Sequence, residues 1–405
     1  MTIFMSLNKR REDMPTPVLR PGRYLRGVFG RGLLASALWA AGGCAFAQAL
    51  CDTTQAVEVQ QQALGSALCG IIDPPDRSDT VLHGVVVEYQ GQLLAERYFS
   101  APDKVVGDFF AHDTAFTPQT LHDMRSISKS VVSLLIGIAQ QQGKLGSIDT
   151  PVLSYLPANE KPAQMDPGWG RITLRHLLTM SSGLEWQEDG VFGNQTRMEF
   201  SSDQARYVLA RSIAQAPGVH YRYISGNTVL LGHVLEHVTG MDLESYARQV
   251  LFEPLGIRDL EWRKGRDGHA FAHAGLRLRP RDLIKIGHLV LDGGRWNGRQ
   301  IVPQAWVQDS TQSHMDAELD WNYGYQWRSG NVVVDSKSWH WVAAFGNGGQ
   351  RLYVVPELAL NVVIVAGRYD APNPFNGQPS QALFRQILEQ VARSTALRGK
   401  PIDPT

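Results

Sequence analysis

Arg125-Ser126-Ile127-Ser128-Lys129-Ser130, running on as VVSLLIGIAQQQ to Gln142, decides the fold. Apolar Val131, Leu134, Leu135 and Ile138 recur at helical spacing, which predicts a helix over Ser126–Gln142 with one buried face. Ser126 and Lys129 stand at i and i+3, on one face of that helix, so the lysine amine can approach the serine hydroxyl. A serine at a helix N-terminus also meets the positive end of the helix dipole, which favours a developing alkoxide. Ser–Lys is an alternative to Ser–His for activating a serine nucleophile. The pair alone is weak, because Ser6 and Lys9 share the spacing. Its setting carries more weight: an alternating hairpin around Gly91 (His83–Phe99), a loop, then the serine opening an apolar helix.

Outward from this point the chain turns mostly helical to about residue 310. Strand character returns at Tyr323–Trp327, Val332–Val334, Trp339–Phe345, Leu352–Val355 and Asn361–Ala366. Gln381–Ala392 reads as a closing amphipathic helix. Strands at both ends with helices between predict an α+β fold: one antiparallel sheet built from both chain ends and flanked by helices, with a mostly helical inserted subdomain. The expected division is 80–142 with 320–395 for the sheet part, 143–319 for the helical part and 396–405 for a tail.

Two further constellations bear chemistry. In Tyr223-Ile224-Ser225 the phenol and hydroxyl at i and i+2 point the same way in an extended segment, and a tyrosine near a lysine can move protons. Phe345-Gly346-Asn347-Gly348-Gly349-Gln350 ends a strand with glycines that let backbone approach a ligand. An N–H there, paired with that of Ser126, makes an oxyanion hole.

Together these motifs resemble the serine β-lactamase/penicillin-binding-protein superfamily, its class C-like branch, over roughly residues 80–395. Ile172-Thr173-Leu174-Arg175-His176-Leu177-Leu178-Thr179-Met180-Ser181-Ser182-Gly183-Leu184, Leu251–Gly256, Pro280–Leu283 and Tyr323-Gly324-Tyr325-Gln326-Trp327 add to the match. The pattern departs from β-lactamases in two places. Ser225 replaces an asparagine, and Ala344-Phe345-Gly346-Asn347 has no Lys or His to meet a substrate carboxylate. In both respects it looks most like the 6-aminohexanoate-dimer hydrolase group, with esterases and β-lactamases of the same fold as alternatives. The resemblance implies an acyl-enzyme on Ser126 with Lys129 and Tyr223 moving protons. It places the oxyanion N–H groups at Ser126 and Asn347, and Ser225, Gly346 and Trp186 at the substrate, Trp186 on a loop over the cleft. It implies no metal and no organic cofactor, and a small-molecule amide or ester as substrate.

Rival signals are few. His233-Val234-Leu235-Glu236-His237 spells an inverted zinc-peptidase motif, with Glu236 as base. Without a third ligand in view, it reads as a solvated helix face. Glu357-Leu358-Ala359-Leu360-Asn361 imitates a class A deacylation motif but follows the glycine-rich turn. No Gly-x-Ser-x-Gly elbow or phosphate-binding loop occurs.

Composition limits the remaining classes. The 43% hydrophobic and 19% charged residues of this 405-residue chain exclude a disordered tail, a collagen-like fibre and a coiled-coil rod. Basic and acidic residues both number 39, so nothing marks a nucleic-acid binder. Seven of the basic residues precede Gly32, leaving 32 basic against 37 acidic after residue 47. That basic stretch, the uncharged run Gly32–Ala47 and the small residues of Ala45-Phe46-Ala47 predict a cleavable signal peptide over 1–47, with Met1 or Met14 as start. The run is too short to span a bilayer comfortably, so the expected location is periplasmic or secreted with no stable membrane span. Cleavage removes Cys44 and leaves Cys51 and Cys69, in a lead-in over 48–79, as a candidate disulfide.

Overall fold

The computed structural model describes residues 59–73, 81–106, 108, 110–190, 192–317, 321–369 and 377–398. The expected signal peptide and Cys51 lie outside them. Helix α1 (Val59–Ile72) carries Cys69. Strands β1 (Leu82–Tyr89) and β2 (Gln92–Tyr98) form the expected hairpin. Its two linking residues, Gln90 (φ 51°) and Gly91 (φ 74°), are both left-handed, the backbone twist that two-residue hairpins favour.

Helix α2 (Ile127–Gln141) follows, with Ser126 as its N-cap. One buried face was expected, yet every residue from Ile127 to Ala139 is buried. Each polar residue of its first turn therefore needs a partner inside the protein. Ser128 Oγ donates to Arg125 O (2.7 Å) and accepts from Leu276 N, and Ser130 Oγ donates to Gln326 O (2.6 Å).

Short elements then carry the run beginning at Ile172. Thr173 caps α3 (Leu174–Leu178), and His176 returns a bond to its backbone N–H. Gly183 has φ 76°, and a Cβ there would lie 2.2 Å from Gln215 O, so only glycine fits. Helix α4 (Ser225–Thr239) ends at Gly240 in the left-handed conformation, a common helix stop. Helix α5 (Pro280–Leu291) opens with proline at its first turn, where the missing N–H costs nothing.

The closing strands are β3 (Met315–Asp316), β4 (Asn322–Tyr323), β5 (Arg328–Val334), β6 (Lys337–Gly346), β7 (Gln350–Val355) and β8 (Leu360–Ala366). Helix α6 (Gln378–Arg398) ends the described chain. The sheet order is β3-β4-β5-β6-β7-β8-β1-β2, antiparallel throughout, and the chain ends meet where Val85 pairs Ile364 and Val87 pairs Val362. This is the β-lactamase/transpeptidase-like α+β architecture that the sequence predicts.

Both faces of the sheet are covered, as the strict alternation of its side chains requires. Val86, Val342, Ala344, Leu352 and Val363 face a core shared with α2, α4 and α5. Val85, Val87, Ala343, Phe345, Tyr353 and Val362 face α1 and α6. Helix α5 lies directly on β7, β8 and β1 although it falls inside the stretch read as a helical subdomain. Tyr323–Trp327 is strand only at Tyr323: Gln326 turns left-handed (φ 65°), and its side-chain amide donates to the carbonyls of Leu177 and Leu178. No described helix is long and apolar enough to cross a membrane.

Candidate active site

The backbone bends sharply just before the serine. Arg125 adopts φ 50°, which costs a non-glycine residue roughly 1–2 kcal/mol. Surrounding bonds hold it there. Its guanidinium lies 4.3 Å from the Tyr369 ring and 3.6 Å from Asp123, and it donates to Lys104 O. The bend leaves Ser126 half-buried at the helix start.

Lys129 is 1% exposed. Its Nζ donates to Ser126 Oγ at 2.9 Å and to His273 O at 2.9 Å, and it lies 4.9 Å from the centre of the Tyr223 ring. The structure thus brings Ser126, Lys129 and Tyr223 together. His273, buried, is fixed in turn by Glu199 (2.8 Å). Burial pushes the Glu199 carboxyl up, but His273, Gln195 and Arg125 together hold it below the ordinary carboxylate value.

A residue that the sequence reading did not single out completes this wall. It is Arg328, the first residue of β5. Its guanidinium sits 5.1 Å from the Tyr223 ring, 5.2 Å from Phe345 and 5.5 Å from Tyr323. Burial works against its charge and the three neighbouring tyrosines outweigh it, so Arg328 stays cationic. The Tyr323 phenol is pushed well above its ordinary range by burial. A second cation, Arg351, lies buried beneath the glycine-rich turn, donating to Gly346 O (2.9 Å) and Gln350 O (2.7 Å). Burial pushes it down to about 10. Residues 344–347 carry no cation, as expected, but adjoining strands supply two.

The end of β6 lies against the residues before the nucleophile. A Cβ on Gly346 would stand 2.5 Å from Met124 O and 3.0 Å from Arg125 Cβ, so glycine is what lets this strand lie against the residues preceding the nucleophile. Asn347 follows, exposed, and its carbonyl accepts from Gln350 Nε2 (3.0 Å). The same amide clasps β8 through Ala366 O and Ala366 N.

Residues 78–383 match the family described as Beta-lactamase. The chain belongs to the β-lactamase family. The 6-aminohexanoate-dimer hydrolase of Paenarthrobacter ureafaciens is 26% identical over 206 residues, covering 48% of this chain and 51% of that protein. Esterase EstB of Burkholderia gladioli is 27% identical over 216 residues, 50% and 53% of the two chains. The chain therefore spans about half the length of these curated relatives. Among solved structures, the class C β-lactamase from Rhodobacter sphaeroides aligns with a TM-score of 0.58 at 19% identity, over 80% of this chain and 99% of that one. EstCE1, a hydrolase with promiscuous acyltransferase activity, gives 0.61 at 16%, over 82% and 98%. These likenesses show a common fold.

Within this β-lactamase-family site, two residues expected at the substrate lie elsewhere. Ser225 is wholly buried at the first turn of α4, where its Oγ donates to Glu188 and its N–H donates to Glu188 Oε2 (2.9 Å). Trp186 is buried on its loop: its indole is 6% exposed, edge-on to Tyr207, and donates to Glu188 Oε2 at 2.6 Å. The cause is Glu188, whose carboxylate needs donors and takes both. Only its position two residues past Trp186 hinted at this.

The His-x-x-Glu-His reading is also corrected. His233 is 5% exposed, not solvated, because it lies on the packed side of α4. Third ligands do exist: Glu160 approaches His233 and His237, and His269 approaches His233 and Glu236. Both came from distant segments, which a local motif cannot show.

Proposed function

We propose that this chain is a serine hydrolase acting through an acyl-enzyme on amide or ester bonds of small molecules, in the manner of 6-aminohexanoate-dimer hydrolases. The observation that carries this reading is the 2.9 Å bond between the buried Lys129 Nζ and Ser126 Oγ at the start of the helix. The lysine takes the hydroxyl proton while Oγ attacks the carbonyl carbon. The N–H groups of Ser126 and Asn347 hold the oxyanion. Tyr223 passes a proton to the leaving amine or alcohol, and the phenolate so formed faces Arg328. Water then attacks the ester carbonyl, giving up a proton to the Tyr223–Lys129 pair and releasing acid and enzyme. The matches to an amide hydrolase and an esterase support small linear substrates over β-lactams.

Fluorophosphonate labelling followed by peptide mapping tests the chemistry. The adduct is expected on Ser126, with Ser126→Ala unlabelled and slowed by about 10³-fold or more. Labelling that survives this substitution overturns the reading. On one preparation, p-nitrophenyl butyrate or the linear 6-aminohexanoate dimer should exceed nitrocefin in kcat/KM. A tenfold advantage for nitrocefin would reverse the substrate class.

We further infer export, from the basic stretch, uncharged run and Ala45-Phe46-Ala47 of the leader. The mature chain then begins at Gln48 with a Cys51–Cys69 disulfide. Intact mass before and after reduction checks both: a chain retaining residues 1–47, or no mass change on reduction, counts against them.

A further inference from the structure

We propose that Glu160, His233 and His237 form a site for a divalent transition-metal ion, zinc being the best match, at the far end of α4 from the catalytic cluster. His233 and His237 are one helical turn apart and share a face. Glu160 reaches them from the short turn Ala158–Glu160, its carboxylate 2.9 Å from His237 Nε2 and 3.9 Å from His233 Nδ1. One ligand atom from each residue falls within 4.8 Å of the others. Two imidazoles and a carboxylate are a common zinc set, with metal–ligand distances of about 2.0–2.2 Å and a fourth position left to water.

His233 is what points to a ligand. It is buried, and neither ring nitrogen has a hydrogen-bond partner. Buried imidazoles rarely leave both nitrogens idle. Beside it stand Glu236 and His269, bonded to each other at 2.5 Å, with the His269 ring centre 4.3 Å from that of His233. Both Glu236 oxygens are already engaged, by His269 Nδ1 and by Leu243 N (3.0 Å), so they leave His233 to Glu160 and His237. His237 and Glu160 remain partly exposed, so an ion has a way in.

The other histidine cluster, His83 with Asp103 and His122, is different. All four of its ring nitrogens make contacts of 2.6–3.0 Å, and all three residues are buried.

An ion at Glu160 would fasten α4 to the 158–160 turn. His233 is eight residues from the start of α4, about 12 Å along its axis. The metal therefore stands away from Ser126 and serves structure, not bond cleavage.

The test is titration of the full, chelator-treated chain with Zn²⁺ by calorimetry and with Co²⁺ by visible absorption. One equivalent should bind, cobalt should show bands of nitrogen–oxygen coordination, and the melting temperature should rise with metal concentration. His237→Ala and Glu160→Gln, both at partly exposed positions, should fold as judged by circular dichroism and bind at least tenfold more weakly. Ser126→Ala should bind like the parent. No saturable binding, or parental affinity in both site variants, overturns the proposal. Metal removal should lower the melting temperature and leave fluorophosphonate labelling of Ser126 unchanged. Loss of labelling while the protein stays folded would overturn the structural role.

Discussion

Arg328 supplies next to Tyr223 the positive charge that residues 344–347 lack. It gets there by sheet register: Arg328 pairs Ala343, so the start of β5 lies beside the strand that leads into the glycine-rich turn. Nothing in the local sequence marks this, because register is a property of two strands. By contrast, Ser126 and Lys129 were legible from spacing within one helix, where geometry follows directly from sequence separation. Tyr223 needed the family resemblance, and Ser225 misled because its partner, Glu188, comes from another loop. If Arg328 steadies the phenolate during turnover, Arg328→Gln should lower kcat by about 10- to 100-fold, the range of a lost charge-assisted hydrogen bond. Labelling of Ser126 should persist, and Arg328→Lys should fall between. Steady-state kinetics on the folded variants decide it; an unchanged kcat in Arg328→Gln would leave the arginine a packing role only.

At the scale of elements, periodicity served wherever a segment's own pattern sets its conformation. The β1–β2 hairpin and the amphipathic closing helix are such cases, though α6 extends to Arg398, past the expected Ala392. Helix α1 carries no clear periodic signal, because Gln60-Gln61-Gln62 opens it with polar side chains and its core contacts are few, from Leu64, Leu68 and Ile72 with Cys69 and Ile71 half-buried beside them. The sequence predicts strand over Tyr323–Trp327. Its conformation is instead set by Gln326, whose amide satisfies carbonyls at the end of α3 while its oxygen accepts from Thr228 of α4 (2.8 Å). A buried side chain with that many backbone partners outweighs strand propensity. The same bond set joins α2, through Ser130, to α3 and α4. It fixes the helix bearing Ser126 and Lys129 relative to the one that follows Tyr223.

At the scale of the molecule, acid sensitivity concentrates where β1 meets the segment leading into the nucleophile. His83 of β1 and His122, four residues before Ser126, are both fully buried, with ring nitrogens 2.6 Å apart. Phe116 stacks on His83 at 4.1 Å. Burial pushes His83 down to about 3 and His122 to about 4; Asp103 pulls both upward, while Arg125 and Arg277 add to the depression at His122. In the unfolded chain both rings take up protons near pH 6.5. Between about pH 6.5 and 4 the unfolded state therefore binds more protons than the folded one, and stability rises with pH. The contribution is complete above 6.5 and is lost as pH falls through that window. His288, held up by Glu88, acts in the opposite sense, its contribution being present below 6.5 and lost as pH rises through its raised value. A fall in melting temperature from pH 7 to pH 4.5 is expected by calorimetry. The double variant His83→Gln/His122→Gln, which cannot titrate here, should be less stable at pH 7 and show a shallower fall. Because Met124, two residues beyond His122, abuts Gly346 across the active site, labelling of Ser126 should decay in step with the melting temperature. Equal slopes in the two proteins would place the acid sensitivity elsewhere in the fold.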